Sequence, residues 1–146
     1  MARFFITLLS AALMAYFFQV EAAPLHSRQI GDISCNVARL KTVSSLAATK
    51  SAVKKIDTSN STATATAVTD AQTGLDSASS GIKTIAASLL TGQTAPADAR
   101  DQVKNGLLAA QTALNGITTG DTATTDALTK LNDTISAGSD VVANCN

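Results

Sequence analysis

Residues 68–89 have the sequence VTDAQTGLDSASSGIKTIAASL, in which apolar side chains recur at alternating steps of three and four residues. This spacing places them on one stripe of an α-helix, as in a heptad seam. The stripe consists of Val68, Ala71, Leu75, Ala78, Ile82, Ile85 and Leu89. Nearly all the residues between them are polar, so the segment predicts an amphipathic helix from about residue 62 to residue 91, which Gly92 ends.

A similar period occurs in three further segments. Residues 32–57 begin at Asp32, a candidate N-cap, a third helix starts near Pro96, and a fourth starts near Thr122. Their predicted seams are Ile33, Val37, Leu40, Val43, Ala47, Val53 and Ile56; Val103, Leu107, Ala110, Leu114 and Ile117; and Leu128, Leu131, Ile135, Gly138 and Val142. Four amphipathic helices with short connections predict an all-α protein, an antiparallel four-helix bundle over residues 32–146.

Cys35 and Cys145 lie near the two ends of this predicted bundle. An up-down-up-down order brings the start of the first helix and the end of the last to the same end, so we expect a disulfide joining them. Closing a loop of about 110 residues would stabilise the fold by about 4–5 kcal/mol in the chain-entropy model. Metal ligation or redox catalysis is the weaker alternative, because the two cysteines are far apart in the sequence and His26 is the only histidine.

The beginning of the chain is typical of a secretory leader. Arg3 precedes an apolar stretch of about 15 residues, shorter than the roughly 20 that span a bilayer, and small residues follow it. We therefore predict a signal peptide at residues 1–22, a flexible tail at residues 23–31, and a secreted, extracellular protein, with cell-wall association open. No transmembrane segment is expected after cleavage.

Charge and motifs argue against several classes of function. The formal net charge is zero and the longest basic run is Lys54-Lys55, so neither nucleic-acid binding nor strong attraction to anionic membranes is expected. The motifs HExxH, GxSxG and GxxxxGK are absent from the sequence, and the one histidine lies in the predicted tail. The sequence predicts a non-catalytic protein with no metal site and no cofactor.

Glycine precedes a seam residue at Gly74, Gly81, Gly106 and Gly116. Small residues of this kind let helix backbones approach closely, or they leave a narrow apolar channel for a slender ligand such as an acyl chain. The candidate lining residues of such a site are Val68, Leu75, Ile82, Ile85, Leu89, Val103, Leu107, Leu114, Leu131 and Ile135.

Two N-glycosylation sequons are present, at Asn60 and at Asn132. Asn60 is the better candidate because it lies in a polar Ser/Thr stretch, residues 58–69, which could also carry O-linked sugar.

The helical segments VTDAQTGL at residues 68–75 and DQVKNGL at residues 101–107, with the leader and the Ala/Thr/Ser-rich mature chain, carry a family resemblance. The chain resembles small secreted fungal proteins of the hydrophobic surface-binding protein A and cell-wall galactomannoprotein group, over roughly residues 32–142. Other small secreted fungal proteins fit the same composition and helical pattern equally well.

The resemblance implies a non-catalytic helical protein that binds lipids or adsorbs to hydrophobic surfaces. Two alternatives stay open. One is a structural cell-wall or matrix glycoprotein that associates with wall polysaccharide. The other is a secreted signal or effector that binds a partner protein.

Overall fold

The computed structural model describes residues 32–145, which form four α-helices and no strand. The helices are α1 (Ile33–Val53), α2 (Thr62–Leu90), α3 (Ala97–Asn115) and α4 (Thr122–Asn144). Short loops connect them in an antiparallel bundle, so the all-α prediction is confirmed. The predicted signal peptide and tail lie outside the described residues, as does His26.

Polar side chains begin three of the helices. Asp32, Ser61 and Asp121 each accept a hydrogen bond from backbone N–H groups of the first turn of α1, α2 and α4, respectively. These bonds satisfy donors that have no partner within the helix. Gly92 follows α2 with a φ of 73° and Gly120 precedes α4 with a φ of 62°, values that favour glycine.

The bundle consists of two closely packed helix pairs. α2 packs most extensively against α3, and α1 against α4, whereas the contacts of α1 with α2 and of α3 with α4 are fewer. A Cβ added to Gly106 would lie 2.5 Å from the Gly74 carbonyl oxygen, and one added to Gly81 would lie 2.8 Å from the Ala99 carbonyl oxygen. Close backbone approach, the first of the two interpretations of these glycines, is therefore confirmed at Gly74, Gly81 and Gly106.

The main apolar core occupies the half of the bundle next to the α1–α2 and α3–α4 loops. Its buried members are Leu46, Ala52, Val53, Ile56, Val68, Ala71, Leu75, Ala78, Leu107, Ala110, Leu114, Ile117, Ala127 and Leu131. At the opposite end a disulfide joins Cys35 to Cys145, with an Sγ–Sγ distance of 2.04 Å. The predicted bridge between the first and last helices is confirmed.

The predicted seam of α1 is wrong along most of its length. Its larger members are exposed: Ile33 by 79%, Val37 by 59%, Leu40 by 71% and Val43 by 48%. Only Val53 and Ile56 of that seam are buried, and Ala47 is exposed. The helix instead turns a face of smaller side chains towards α4, with members Cys35, Ala38, Thr42, Leu46, Thr49 and Ala52.

Close packing between α1 and α4 explains this choice of face. The hydroxyl oxygens of Thr49 and Thr134 lie 3.0 Å apart, and both residues are fully buried. One hydroxyl donates to the other, and the accepting hydroxyl donates to a carbonyl oxygen four residues back in its own helix. Threonine is thus buried without an unsatisfied polar group, and its small volume permits the close contact.

The fourth seam also departs from its prediction along most of its length, because α4 buries a neighbouring stripe of Thr124, Ala127, Leu131, Thr134 and Ala137. Leu131 is fully buried and Ile135 is half-buried, but Val142 is 72% exposed. Of the predicted seam only Leu131 is fully buried, because the buried stripe lies one residue earlier and continues to Ala137, towards the disulfide end.

Candidate functional site: the outer face of α1

The most unusual surface of the described residues is an apolar stripe on α1. We define the outer α1 face as Ile33, Val37, Leu40 and Val43, which are spaced so that they share one side of the helix. Four of the seven large exposed apolar side chains of residues 32–145 belong to it, and the other three lie on three different helices. Because these side chains lie together on one helix face, they make this surface the candidate interaction site, whereas singly scattered exposed residues are ordinary.

The packing of α1 holds this stripe in solvent. The disulfide at Cys35 and the hydroxyl contact at Thr49 attach the opposite side of the helix to α4. Rotating α1 to bury its larger side chains would break both of these contacts and remove small residues from a close interface. The exposure of the outer α1 face is therefore a consequence of the fold.

Charge is distributed unevenly around this face. Residues 33–56 contain five basic side chains and no acidic one, a formal net charge of +5. Residues 57–145 contain four basic and nine acidic side chains, a formal net charge of −5. The helix that exposes the apolar stripe, together with the turn that follows it, is thus also the most basic part of the described chain.

Lys50 and Lys41 form ion pairs with neighbouring helices. The Lys50 ammonium lies 2.6 Å from an Asp76 carboxylate oxygen, and its hydrogen bond and positive charge lower the pKa of Asp76. The Lys41 ammonium lies 3.5 Å from a carboxylate oxygen of Asp140. Both pairs are substantially exposed, so each contributes little to stability.

The candidate lining residues lie inside the bundle. Val68, Leu75, Leu107, Leu114 and Leu131 are buried in one apolar cluster, and Ile82, Val103 and Ile135 pack partly buried against it. Ile85 and Leu89 are half-buried nearer the disulfide end of α2. The structure therefore brings eight of the ten together as mutual packing partners.

The two sequons occupy different environments. Asn60 is exposed in the loop between α1 and α2, the setting that N-glycosylation favours. Asn132 lies within α4, where its amide oxygen accepts a hydrogen bond from Gln111 at 3.0 Å. The hydroxyl of Thr134, the third residue of that sequon, is buried against Thr49. Both asparagines are exposed, but only Asn60 lies in a loop and outside a helix.

Two carboxyl groups whose pKa values are lowered by hydrogen bonds, Asp121 and Asp57, stabilise turns. Hydrogen bonds from the Thr119 hydroxyl and from the N–H and hydroxyl of Thr124 lower the pKa of Asp121 to about 2. Hydrogen bonds from Ser59 lower the pKa of Asp57. These side chains fix the entry to α4 and the α1–α2 loop.

Two structural features are absent from residues 32–145. These residues contain no cluster of three or more His, Cys, Asp or Glu side chains that could hold a metal ion. None of the four helices combines the length and apolarity needed to cross a bilayer.

Comparisons with protein-family models, curated proteins and solved structures give no match to this chain. The functional interpretation therefore depends on the chain's own surface.

Proposed function

We propose that this chain is a secreted, non-catalytic protein that adsorbs to lipid assemblies or other apolar surfaces through the outer α1 face. The observation that carries the proposal is the exposure of Ile33, Val37, Leu40 and Val43 on a helix whose other side is fixed to α4. The resemblance to hydrophobic surface-binding proteins agrees with this function.

The energetics of such a surface are adequate for adsorption. Fully burying one large aliphatic side chain stabilises by about 1.5–3 kcal/mol. Even partial burial of the four side chains of the outer α1 face therefore amounts to several kcal/mol. Because α1 is already helical and held by α4, little conformational entropy is lost when it adsorbs.

Secretion is supported by two features of the chain. Residues 1–22 have the composition of a signal peptide, and the disulfide between Cys35 and Cys145 is typical of oxidising compartments.

Adsorption to polystyrene beads tests the proposal. The variant Val37→Ser/Leu40→Ser should lose most of the adsorption of the unmodified protein, because it removes apolar area without touching the core. The control is Leu108→Ser, which removes a 44% exposed leucine from α3 and should adsorb normally. Equal adsorption by all three proteins, with helical content unchanged by circular dichroism, would refute the assignment.

A cell-wall or matrix glycoprotein is the second candidate, and the exposure of Asn60 in a loop favours it. After secretion from a eukaryotic host, Asn60→Gln should remove a glycan that Asn132→Gln leaves in place. Retention on wall polysaccharide by the glycosylated protein, combined with no adsorption to apolar beads, would favour this function over the first.

A further inference from the structure

We infer that the outer α1 face binds anionic lipid surfaces in preference to neutral ones, an inference that rests on the proposed function. The reason is the combination of an apolar stripe on α1 with basic side chains on α1 and in the turn that follows it. Residues 33–56 carry five basic side chains and no acidic one, whereas the remainder of the described chain is acidic. The zero net charge of the whole chain conceals this separation.

The positions of the basic residues suit a helix that lies in a membrane interface. Arg39 and Lys41 are the immediate neighbours of Leu40, so helical geometry places them on opposite flanks of the apolar stripe. The Lys41 ammonium also pairs there with Asp140. Lys54 keeps helical backbone angles, with φ −67° and ψ −15°. It follows Leu40 by 14 residues, and therefore lies near the same line about 21 Å further along the helix.

This arrangement lets apolar and basic groups act together on an anionic surface. Aliphatic side chains of an interfacial helix enter the boundary between headgroups and acyl chains, while flanking lysines extend their ammonium groups to anionic headgroups. Lys54 and Lys55 are both exposed. Electrostatic attraction would then add to the apolar contact made by the outer α1 face.

Charge complementarity favours such a surface over a second copy of the chain. Pairing two outer α1 faces would bring together two segments that each carry a formal charge of +5, and like charges at close range oppose association. An anionic bilayer supplies the opposite charge over its whole area.

Vesicle co-sedimentation tests the inference. The purified protein is mixed with vesicles of phosphatidylcholine alone or of phosphatidylcholine with phosphatidylglycerol, at low and high salt. We expect tighter binding to the anionic vesicles and weakening by salt. Lys54→Gln/Lys55→Gln should bind the anionic vesicles about 25-fold more weakly, since each lysine near the surface contributes about five-fold.

The matched control is Lys83→Gln/Lys104→Gln, which makes the same charge change at exposed positions of α2 and α3 and should bind like the unmodified protein. Equal binding to both vesicle types overturns the preference and leaves the proposed function standing. Adsorption to neither vesicles nor polystyrene overturns both. The preference is also overturned if the unmodified protein forms a dimer that Leu40→Ser dissociates and if its binding does not depend on the lipid.

Discussion

Replacing Gly106 by alanine should destabilise the protein, although alanine is the better helix former. The new Cβ would lie 2.5 Å from the Gly74 carbonyl oxygen and 2.7 Å from the Ala78 nitrogen, against 3.4 Å or more for ordinary contact. Both atoms are backbone, so α2 and α3 would have to separate by about 0.9 Å to restore the closer contact to normal.

The magnitude follows from two opposing effects. Overpacking costs about 1–3 kcal/mol, and a clash of backbone with backbone should lie near the upper end of that range. The helix propensity of alanine returns about 1 kcal/mol. We therefore expect Gly106→Ala to lower the free energy of unfolding by about 2 kcal/mol.

Gly138 provides a matched control within α4. An added Cβ there would meet nothing within 4 Å, so Gly138→Ala should raise the free energy of unfolding by up to about 1 kcal/mol. Urea unfolding followed by circular dichroism measures both variants, and an unchanged m-value would show that the unfolded state is unaltered. If Gly106→Ala were as stable as the unmodified protein, the close approach of α2 and α3 would be refuted.

Three further predictions concern the α1–α4 pair and the entry to α4. Cys35→Ser/Cys145→Ser should lower the free energy of unfolding in urea by about 4–5 kcal/mol; a negligible loss would contradict the predicted constraint on the unfolded chain. Thr49→Val and Thr134→Val should each cost about 1 kcal/mol, with the double variant little worse than either, because the two hydroxyls share one hydrogen bond; strictly additive costs would exclude that coupling. The lowered pKa of Asp121 implies stabilisation that is present above pH 3.8 and lost as the pH falls through about 2. The melting temperature of Asp121→Asn should therefore fall less than that of the unmodified protein over this pH interval. The same pH dependence in both proteins would contradict a stabilising role of the Asp121 carboxylate.

Much of the fold could be predicted because two of the seams, those of α2 and α3, have one apolar stripe each. The stripe of α3 from Leu107 to Ile117 is buried as expected, and α2 buries Val68, Ala71, Leu75 and Ala78. The up-down-up-down order of four helices also predicts that the two cysteines lie at the same end of the bundle. The spacing of apolar residues and the loop lengths are sufficient to predict these features, because the features depend on which helix face is buried away from water.

The face that α1 buries could not be predicted from hydrophobicity alone. Two stripes compete on this helix, and the structure buries the one with the smaller side chains. The disulfide indicates which face is buried, because Cys35 must lie on the side of α1 that faces Cys145. Steps of three and four residues from Cys35 lead to Ala38 and Thr42, and then through Leu46 to Thr49, which are the residues that pack against α4. The geometry required at Cys35 selects this face.

The candidate site was missed for the same reason. Residues assigned to an interior seam form the outer α1 face, and the basic character of that helix is hidden in a chain of zero net charge. The Ser/Thr-rich stretch around Asn60 already favours that sequon over Asn132, and the structure adds that Asn60 lies in a loop whereas Asn132 lies in a helix.

A single tryptophan placed in the outer α1 face tests the central claim most directly. The chain contains no tryptophan, so the fluorescence of Leu40→Trp would come from this face without background from another indole. We predict a blue shift of its emission on adding phosphatidylglycerol-containing vesicles, and no shift for Leu108→Trp on α3. An unchanged spectrum for Leu40→Trp, or equal shifts at both positions, would contradict binding through α1.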